Sequence, residues 1–190
     1  MSYPDFLATF GPRLANGTAV TVGQFTLASI LAVAMAGASG LMLISVSRVV
    51  RAGALGYVEI FRGTSLLVQL YWIFFALPIF GLTLDKFTAG ILAVGLNGGG
   101  YGAILVKGAV MAVPNGQWEA AIAINMTPTC RMLRIILPQA VVIMLPSWGN
   151  LLIEILRGTA LVALISVTDL MFEVRQINNA SFNSSDAFGT

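Results

Sequence analysis

The chain has 190 residues, of which 57% are hydrophobic and only 9% charged, and its formal net charge is +2. Soluble domains carry about 25% charged residues, so this composition excludes an ordinary soluble protein and indicates an integral membrane protein. Because there is no histidine, one cysteine and no Gly-x-x-x-x-Gly-Lys-Ser/Thr loop, the sequence predicts no metal centre, no intrachain disulfide, no bound nucleotide and no other cofactor.

Four stretches without charged residues are long enough to cross a membrane as helices. About 20 helical residues span the roughly 30 Å of bilayer hydrocarbon. The stretches contain 34, 22, 20 and 19 residues and lie at positions 14–47, 63–84, 87–106 and 135–153. None of them alternates apolar and polar residues as the strands of a membrane β-barrel do. We therefore predict an all-α transmembrane protein with four spans, and a fifth apolar stretch at 158–168 that is too short to cross alone.

The positions of basic residues predict which loops face the cytoplasm, because Lys and Arg concentrate in cytoplasmic loops. Arg48 and Arg51 follow the first stretch, and Lys107, Arg131 and Arg134 lie between the third and the fourth. We therefore predict that the amino terminus lies outside and that the loop between the third and fourth spans faces the cytoplasm. The net charge of +2 reflects this loop bias and does not indicate nucleic-acid binding.

The segment 116–140 has the pattern of a short helix, a turn and the start of a membrane helix. Residues 117–124 are rich in good helix formers, and Thr127 before Pro128 is typical of an N-cap followed by the first helical position. The short helix has an apolar side that includes Trp118 and a polar side with Glu119. From these residues alone, a helix resting at the membrane interface and a helix that meets a polar partner are equally supported.

The spacing within this segment resembles the EAA motif of ABC importer permeases. Glu119-Ala120-Ala121 is followed by three residues, a turn residue, nine residues, Ile135, one residue and then Leu137-Pro138. Further stretches resemble the polar amino acid permease family within those importers: NGTAVTV at 16–22, YVEIFRGTSLLVQLYWIFFALP at 57–78, GYGAILVKGAVMAVPNGQWEAA at 100–121 and LPQA at 137–140. The resemblance extends from about residue 16 to residue 175.

This resemblance implies that residues 1–190 form a single ABC importer permease domain with a cytoplasmic coupling segment at 114–128. It also implies four kinds of partner: a cytoplasmic ABC ATPase dimer, a second permease subunit of the same or a sister chain, an external solute-binding protein, and the lipid bilayer of a bacterial inner membrane. The chain itself would not be an enzyme, since ATP is hydrolysed by the separate ATPase. The implied coupling residues are Gly116, Gln117, Glu119, Ala120, Ala121 and Asn125. Glu119, Ala120 and Ala121 are expected to form the docking face.

The sequence departs from the family pattern in two places. Asn125 occupies the turn position where the family usually has glycine; because asparagine tolerates positive φ better than most residues, we expect the turn to form. Family members also have one more span near the carboxy end, and we expect this chain to be truncated there.

A second set of residues is predicted to line the path of a solute. Glu154 and Arg157 follow the fourth apolar stretch, and because an isolated charge in the bilayer costs about 2.5–3.5 kcal/mol, we expect these residues, three apart on a helix, to pair. A guanidinium suits a carboxylate and a glutamate suits an amine, which is typical of recognition of a zwitterion. A purely structural charge pair, and a packing role for Asn97, remain alternatives. The predicted pathway residues are Asn97, Asn150, Glu154, Arg157 and Thr159, and no catalytic or metal-binding residue is predicted.

The sequence therefore predicts the permease subunit of an ATP-driven importer for polar amino acids or amino-acid-like compatible solutes. Resemblance to ectoine and hydroxyectoine permeases, which also have asparagine in the turn, favours those solutes. The alternatives are an ATP-independent secondary carrier, a channel subunit and a membrane enzyme. A carrier is expected to show inverted repeats, and the near copy of 59–66 at 154–161 is too short for that. An enzyme needs a nucleophile with a base, or a metal, and the absence of histidine counts against both.

Overall fold

A computed structural model describes residues 3–162. These residues are almost entirely helical, and their α-helices run in the order α1 (Tyr3–Met42), α2 (Arg48–Gly63), α3 (Leu66–Tyr71), α4 (Lys86–Met111), α5 (Asn115–Ala123), α6 (Pro128–Arg131) and α7 (Leu137–Val162). The all-α prediction is confirmed for this part of the chain. Most of the fifth apolar stretch, and the question of a further span, lie outside the described residues.

Three helical segments are long and apolar enough to cross a membrane: Leu14–Met42, Lys86–Met111 and Pro128–Val162. They coincide with the first, third and fourth predicted spans, which are therefore confirmed as membrane-length helices. The last is continuous because α6 passes through a π-helical turn, Met132–Ile136, into α7.

The second predicted span differs from a single straight helix. α2 and the helical segment Leu66–Phe80, which starts as α3 and continues as a π-helical and a 3₁₀ turn, meet at an angle of 102°. The bend arises because Thr64 and Ser65 adopt extended backbone conformations, with ψ of 148° and 140°, and interrupt the helical hydrogen bonds. We call residues 61–66 the elbow. The apolar stretch 63–84 is thus only one arm of a bent pair whose other arm, α2, contains charged residues.

Small residues allow α1 and α4 to pack closely. On α1, Ala28, Ala32 and Ala36 recur every four residues and are at most 1% exposed. They face the glycine-rich stretch of α4, where a Cβ atom added at Gly102 would lie only 2.6 Å from the Cβ of Ala36. Close approach of helices through small residues is typical of membrane proteins, and it accounts for the cluster of glycines in α4.

We predict that Gly102→Ala destabilises the protein, because the added methyl must displace the backbone of α1 or α4. Overpacking of this kind costs about 1–3 kcal/mol. Gly108→Ala is the matched control on the same helix, since a Cβ there would meet nothing within 4 Å. In thermal unfolding of the detergent-solubilised protein, we expect a lower midpoint for Gly102→Ala and an unchanged or higher one for the control. Equal midpoints would contradict the close packing described above.

Candidate functional site

A polar cavity lies where the elbow, α4 and α7 meet. Its volume is about 490 Å³. The wall combines apolar side chains such as Leu151 and Ile155 with polar ones. The polar side chains are Thr64, Ser65, Asn97, Tyr101, Glu154 and Arg157. We refer to this space as the main cavity.

A second cavity of about 330 Å³ adjoins the main cavity, and both are lined by Tyr101 and Glu154. Its wall also contains Arg62, Ser147 and Asn150. The guanidinium of Arg62 lies over the Tyr101 ring, 5.3 Å from the ring centroid, at cation–π distance. Glu154 therefore lines both cavities. Arg157 lines the main cavity with it, and Arg62 lines the second.

Glu154 and Arg157 lie beside the middle of α4, although they are near the end of their own helix, α7. Ile155, next to Glu154, packs against Gly98, where an added Cβ would be 3.1 Å from the Ile155 side chain. Gly98 is halfway along the 26-residue helix α4. Glu154 and Arg157 are nevertheless exposed in the chain. Because exposure of charges to lipid is costly, we expect this side of the molecule to face protein or water in the membrane.

Four of the five predicted pathway residues line these cavities. Asn97, Glu154 and Arg157 lie in the wall of the main cavity, and Asn150 lies in the wall of the second. Thr159 does not line either one: it is 1% exposed, and its hydroxyl donates a hydrogen bond of 2.7 Å to the carbonyl of Leu156.

The expected pairing of Glu154 with Arg157 is not found within residues 3–162. Neither side chain makes an ion pair there, and both line the main cavity instead. The physical reason is that both side chains are exposed within the chain, so neither needs the other to neutralise a buried charge. Both charges are available to a bound molecule.

Sequence reasoning missed Arg62, Tyr101 and the elbow residues as parts of the site. A signal for Arg62 was present, since EIFRGTSL at 59–66 and EILRGTAL at 154–161 place Arg62 and Arg157 at equivalent positions. In the structure the two arginines line neighbouring cavities.

The segment after α4 forms the helix–turn–helix that the sequence predicts. α5 ends in a Schellman motif, in which the N–H of Asn125 donates to the Ile122 carbonyl at 2.9 Å and the N–H of Met126 donates to the Ala121 carbonyl at 3.0 Å. Asn125 has a φ of 56°, the only positive value at a non-glycine position within residues 3–162. The side chain of Thr127 then caps α6 by accepting a hydrogen bond from the Cys130 N–H at 3.4 Å. Asparagine thus fills the turn position in the expected left-handed conformation.

Side-chain contacts fix α5 to the start of the last long helix. The Nε2 of Gln139 donates to the Oε1 of Gln117 at 3.3 Å. The guanidinium of Arg131 lies 5.5 Å from the centroid of the Trp118 ring. Trp118 also packs against an apolar cluster formed by the end of α4 and the start of α7: Ala109, Val110, Val113, Ile136 and Ala140. α5 and α7 are therefore connected through both polar and apolar contacts.

The exposed surface of α5 is narrower than the predicted docking face. Gly116, Gln117, Glu119 and Ala120 are exposed, but Ala121 is fully buried within the chain. Ala121 lies on the inner side of α5, where its small side chain allows close packing, and does not contribute to the exposed surface. Ile122, at 57% exposure, is the neighbour that does.

Comparison with known proteins places this architecture in a family. Residues 17–190 match the family described as binding-protein-dependent transport system inner membrane component. A probable amino-acid ABC transporter permease protein of Sinorhizobium fredii is 44% identical over 99% of this chain and 80% of its own length. An L-cystine transport system permease protein of Bacillus subtilis is 36% identical over 89% of this chain and 72% of its own length.

Solved structures show the same fold. A chain from the crystal structure of an amino acid ABC transporter with histidines superposes with a TM-score of 0.85 at 32% identity, covering 96% of this chain and 85% of that one. A chain of a methionine ABC transporter in an inward-facing conformation superposes with a TM-score of 0.78 at 20% identity, covering 96% of this chain and 85% of that one. At that identity, the second likeness concerns the fold alone.

Proposed function

Since the chain belongs to the family of binding-protein-dependent transport system inner membrane components, we propose that its two connected cavities form the path of a zwitterionic solute. The chain is the permease subunit of an amino-acid ABC importer and is not itself an enzyme, because ATP is hydrolysed by a separate subunit. Such importers also work with a solute-binding protein. The proposal concerns how this chain handles its solute and its partners.

The observation that carries the proposal is the placement of opposite charges around two adjoining cavities beside the middle of α4. Glu154 lines both cavities, with Arg157 in the main cavity and Arg62 in the second. A guanidinium recognises a carboxylate through paired hydrogen bonds, and a carboxylate recognises an ammonium or amidinium group. A solute with both groups therefore matches the site, whereas a purely apolar solute leaves three charges without a partner.

A second permease subunit, of the same or a sister chain, is proposed to cover this side of the molecule. The support is energetic: Arg62, Glu154 and Arg157 are exposed in the single chain, and exposure of such charges to lipid is costly. A partner subunit would enclose a polar space between the two chains. The solute would then pass along the interface, away from lipid.

We further propose that residues 114–128 meet the ATPase on the cytoplasmic side of a bacterial inner membrane. The loop between the third and fourth spans carries Lys107, Arg131 and Arg134, which favours a cytoplasmic position and an external amino terminus. Docking would use the exposed surface of α5, with Gly116, Glu119 and Ala120. Gln117, which is also exposed, would hold α5 in place through its bond to Gln139. Ala121 would act from within the fold through its burial, and Asn125 would provide the turn.

The solute proposed is a polar amino acid or a compatible solute that resembles one. Ectoine and hydroxyectoine fit this description, because they are zwitterions with a carboxylate and an amidinium group, and the asparagine in the turn is the sequence feature that favours them. Linear amino acids fit the same charge arrangement. A transport panel that includes both kinds of solute distinguishes them.

Reconstitution into proteoliposomes tests the proposed function. Vesicles would contain the permease with its ATPase, and the solute-binding protein would be supplied outside with labelled amino acids or ectoine. We expect accumulation with ATP and none with a non-hydrolysable analogue. Uptake that persists with the analogue would contradict ATP-driven import and favour the secondary carrier or channel.

A further inference from the structure

The elbow between α2 and α3 leaves backbone carbonyls that need hydrogen-bond donors. A helix end has unpaired carbonyls, and inside a membrane water does not satisfy them. Thr64 donates from its hydroxyl to the Ile60 carbonyl at 2.7 Å. The carbonyls of Phe61 and Thr64 are instead satisfied by side chains from elsewhere in the chain.

Two side-chain amides supply the donors. The Nε2 of Gln69 lies 2.8 Å from the Phe61 carbonyl oxygen, 3.2 Å from the Thr64 carbonyl oxygen and 2.6 Å from the Thr64 hydroxyl oxygen. The Nδ2 of Asn97, on α4, donates to the Phe61 carbonyl at 2.9 Å and to the Oε1 of Gln69 at 3.2 Å. Gln69 is only 8% exposed.

These bonds determine which way each amide points. A backbone carbonyl only accepts hydrogen bonds, so the amide nitrogens of Gln69 and Asn97 must both face the elbow. The Oε1 of Gln69 then accepts the second hydrogen of Asn97. Both hydrogens of the Asn97 amide are thus used, and its Oδ1, an acceptor, is the group that remains for the main cavity, which Asn97 lines.

We propose that Gln69 is a positioning residue that, together with the Phe61 carbonyl, fixes the orientation of Asn97 and thereby sets the polarity of the main cavity. Gln69 does not line that cavity; it lies in the wall of an apolar groove on the other side of the elbow, beside Val68 and Trp72. Through Asn97 it places an amide acceptor in the main cavity in addition to the Glu154 carboxylate. An amide oxygen that cannot turn to present its N–H groups favours solutes with a positively charged amine. This inference rests on the proposed function, namely that the cavity binds a zwitterion.

A double-mutant cycle in the reconstituted importer tests the inference. The readout is selectivity, measured as uptake of an amino acid relative to its analogue without the amine. We expect Gln69→Leu to lower this ratio about tenfold, the change that corresponds to one hydrogen bond to a charged group. Because Gln69 acts through Asn97, Asn97→Leu should lower it similarly, and the double variant should be no worse than either single one.

The controls separate this role from a general loss of structure. Thr26→Val removes an exposed hydroxyl that bonds only to the Val22 carbonyl of its own helix, and it should leave selectivity unchanged. Where Gln69→Leu does not assemble, Gln69→Met keeps the approximate length of the side chain but removes the acceptor for Asn97, and the same loss of selectivity is expected. A reduced maximal rate with unchanged selectivity, or additive effects of the two substitutions, would overturn the inference. Lack of ATP-driven uptake by the unmodified importer would instead overturn the proposed function.

Discussion

Arg157→Met is expected to abolish solute uptake while leaving the importer assembled. The guanidinium lines the main cavity without an ion pair among the described residues, so its removal leaves no buried charge unpaired within the chain. Methionine is apolar and of similar length, and it is compatible with membrane insertion. Loss of hydrogen bonds from a charged group to a carboxylate costs about 1.5–3 kcal/mol each, which corresponds to a decrease in solute affinity of roughly 10- to 100-fold or more.

Two measurements separate loss of recognition from loss of assembly. The initial rate of ATP-driven uptake in proteoliposomes gives the transport activity as a function of solute concentration. Co-purification with the ATPase shows that the complex is intact. Leu145→Met, on the same helix but outside both cavities and 59% exposed, is the matched control and should transport normally. Normal uptake by Arg157→Met would refute the role of Arg157 in the pathway.

The membrane-spanning helices could be predicted from sequence because their length and hydrophobicity are local properties. The stretches 14–47, 87–106 and 135–153 each contain enough apolar residues to span a bilayer, and each corresponds to a long helix. The helix–turn–helix around Asn125 was also predictable, since Asn125, Thr127 and Pro128 act on the backbone next to them.

The elbow could not be predicted in this way because distant residues stabilise it. Its carbonyls accept hydrogen bonds from Gln69 and from Asn97. Asn97 lies on α4, 36 residues after Phe61 in the chain. The apolar stretch 63–84 therefore looked like one straight span. The tertiary hydrogen bonds that make a 102° bend tolerable are not visible in the local pattern.

The candidate site was partly predictable from the cost of burying charge. Glu154 and Arg157 stand out because charged residues are rare in apolar stretches, and both line the main cavity. Thr159 was predicted to line the path but is buried. Helical periodicity indicates this burial, because Thr159 lies four residues after Ile155 and on the same buried face of α7. Ala121 was predicted to belong to the docking face but is buried. Its burial could not be read from the sequence, since it depends on packing between α5 and the helices on either side.

Glu119→Lys is expected to disconnect the permease from its ATPase without unfolding it. Glu119 is exposed on α5, whereas α5 itself is fixed to the rest of the chain by Trp118, by Gln117 and by the buried Ala121. Reversal of the charge thus changes the surface offered to a partner and not the internal contacts. Loss of one charged partner from a buried interfacial pair costs about 2–5 kcal/mol, so we expect at least a roughly 30-fold loss of ATPase binding.

The consequence for transport follows from the continuity of the last helix. Gln139, which bonds Gln117, and Arg157, which lines the main cavity, lie on the same helix α7, about 27 Å apart at 1.5 Å per residue. We therefore expect movement imposed on α5 to be transmitted to the charged wall of the cavity through this continuous helix, which includes Pro146. In Glu119→Lys we expect uptake to fall with ATPase binding, while thermal unfolding of the permease stays unchanged. Thr129→Lys, which adds a positive charge at an exposed position just outside α5, should retain both ATPase binding and solute uptake. Full ATPase binding and uptake by Glu119→Lys would show that α5 is not the coupling surface.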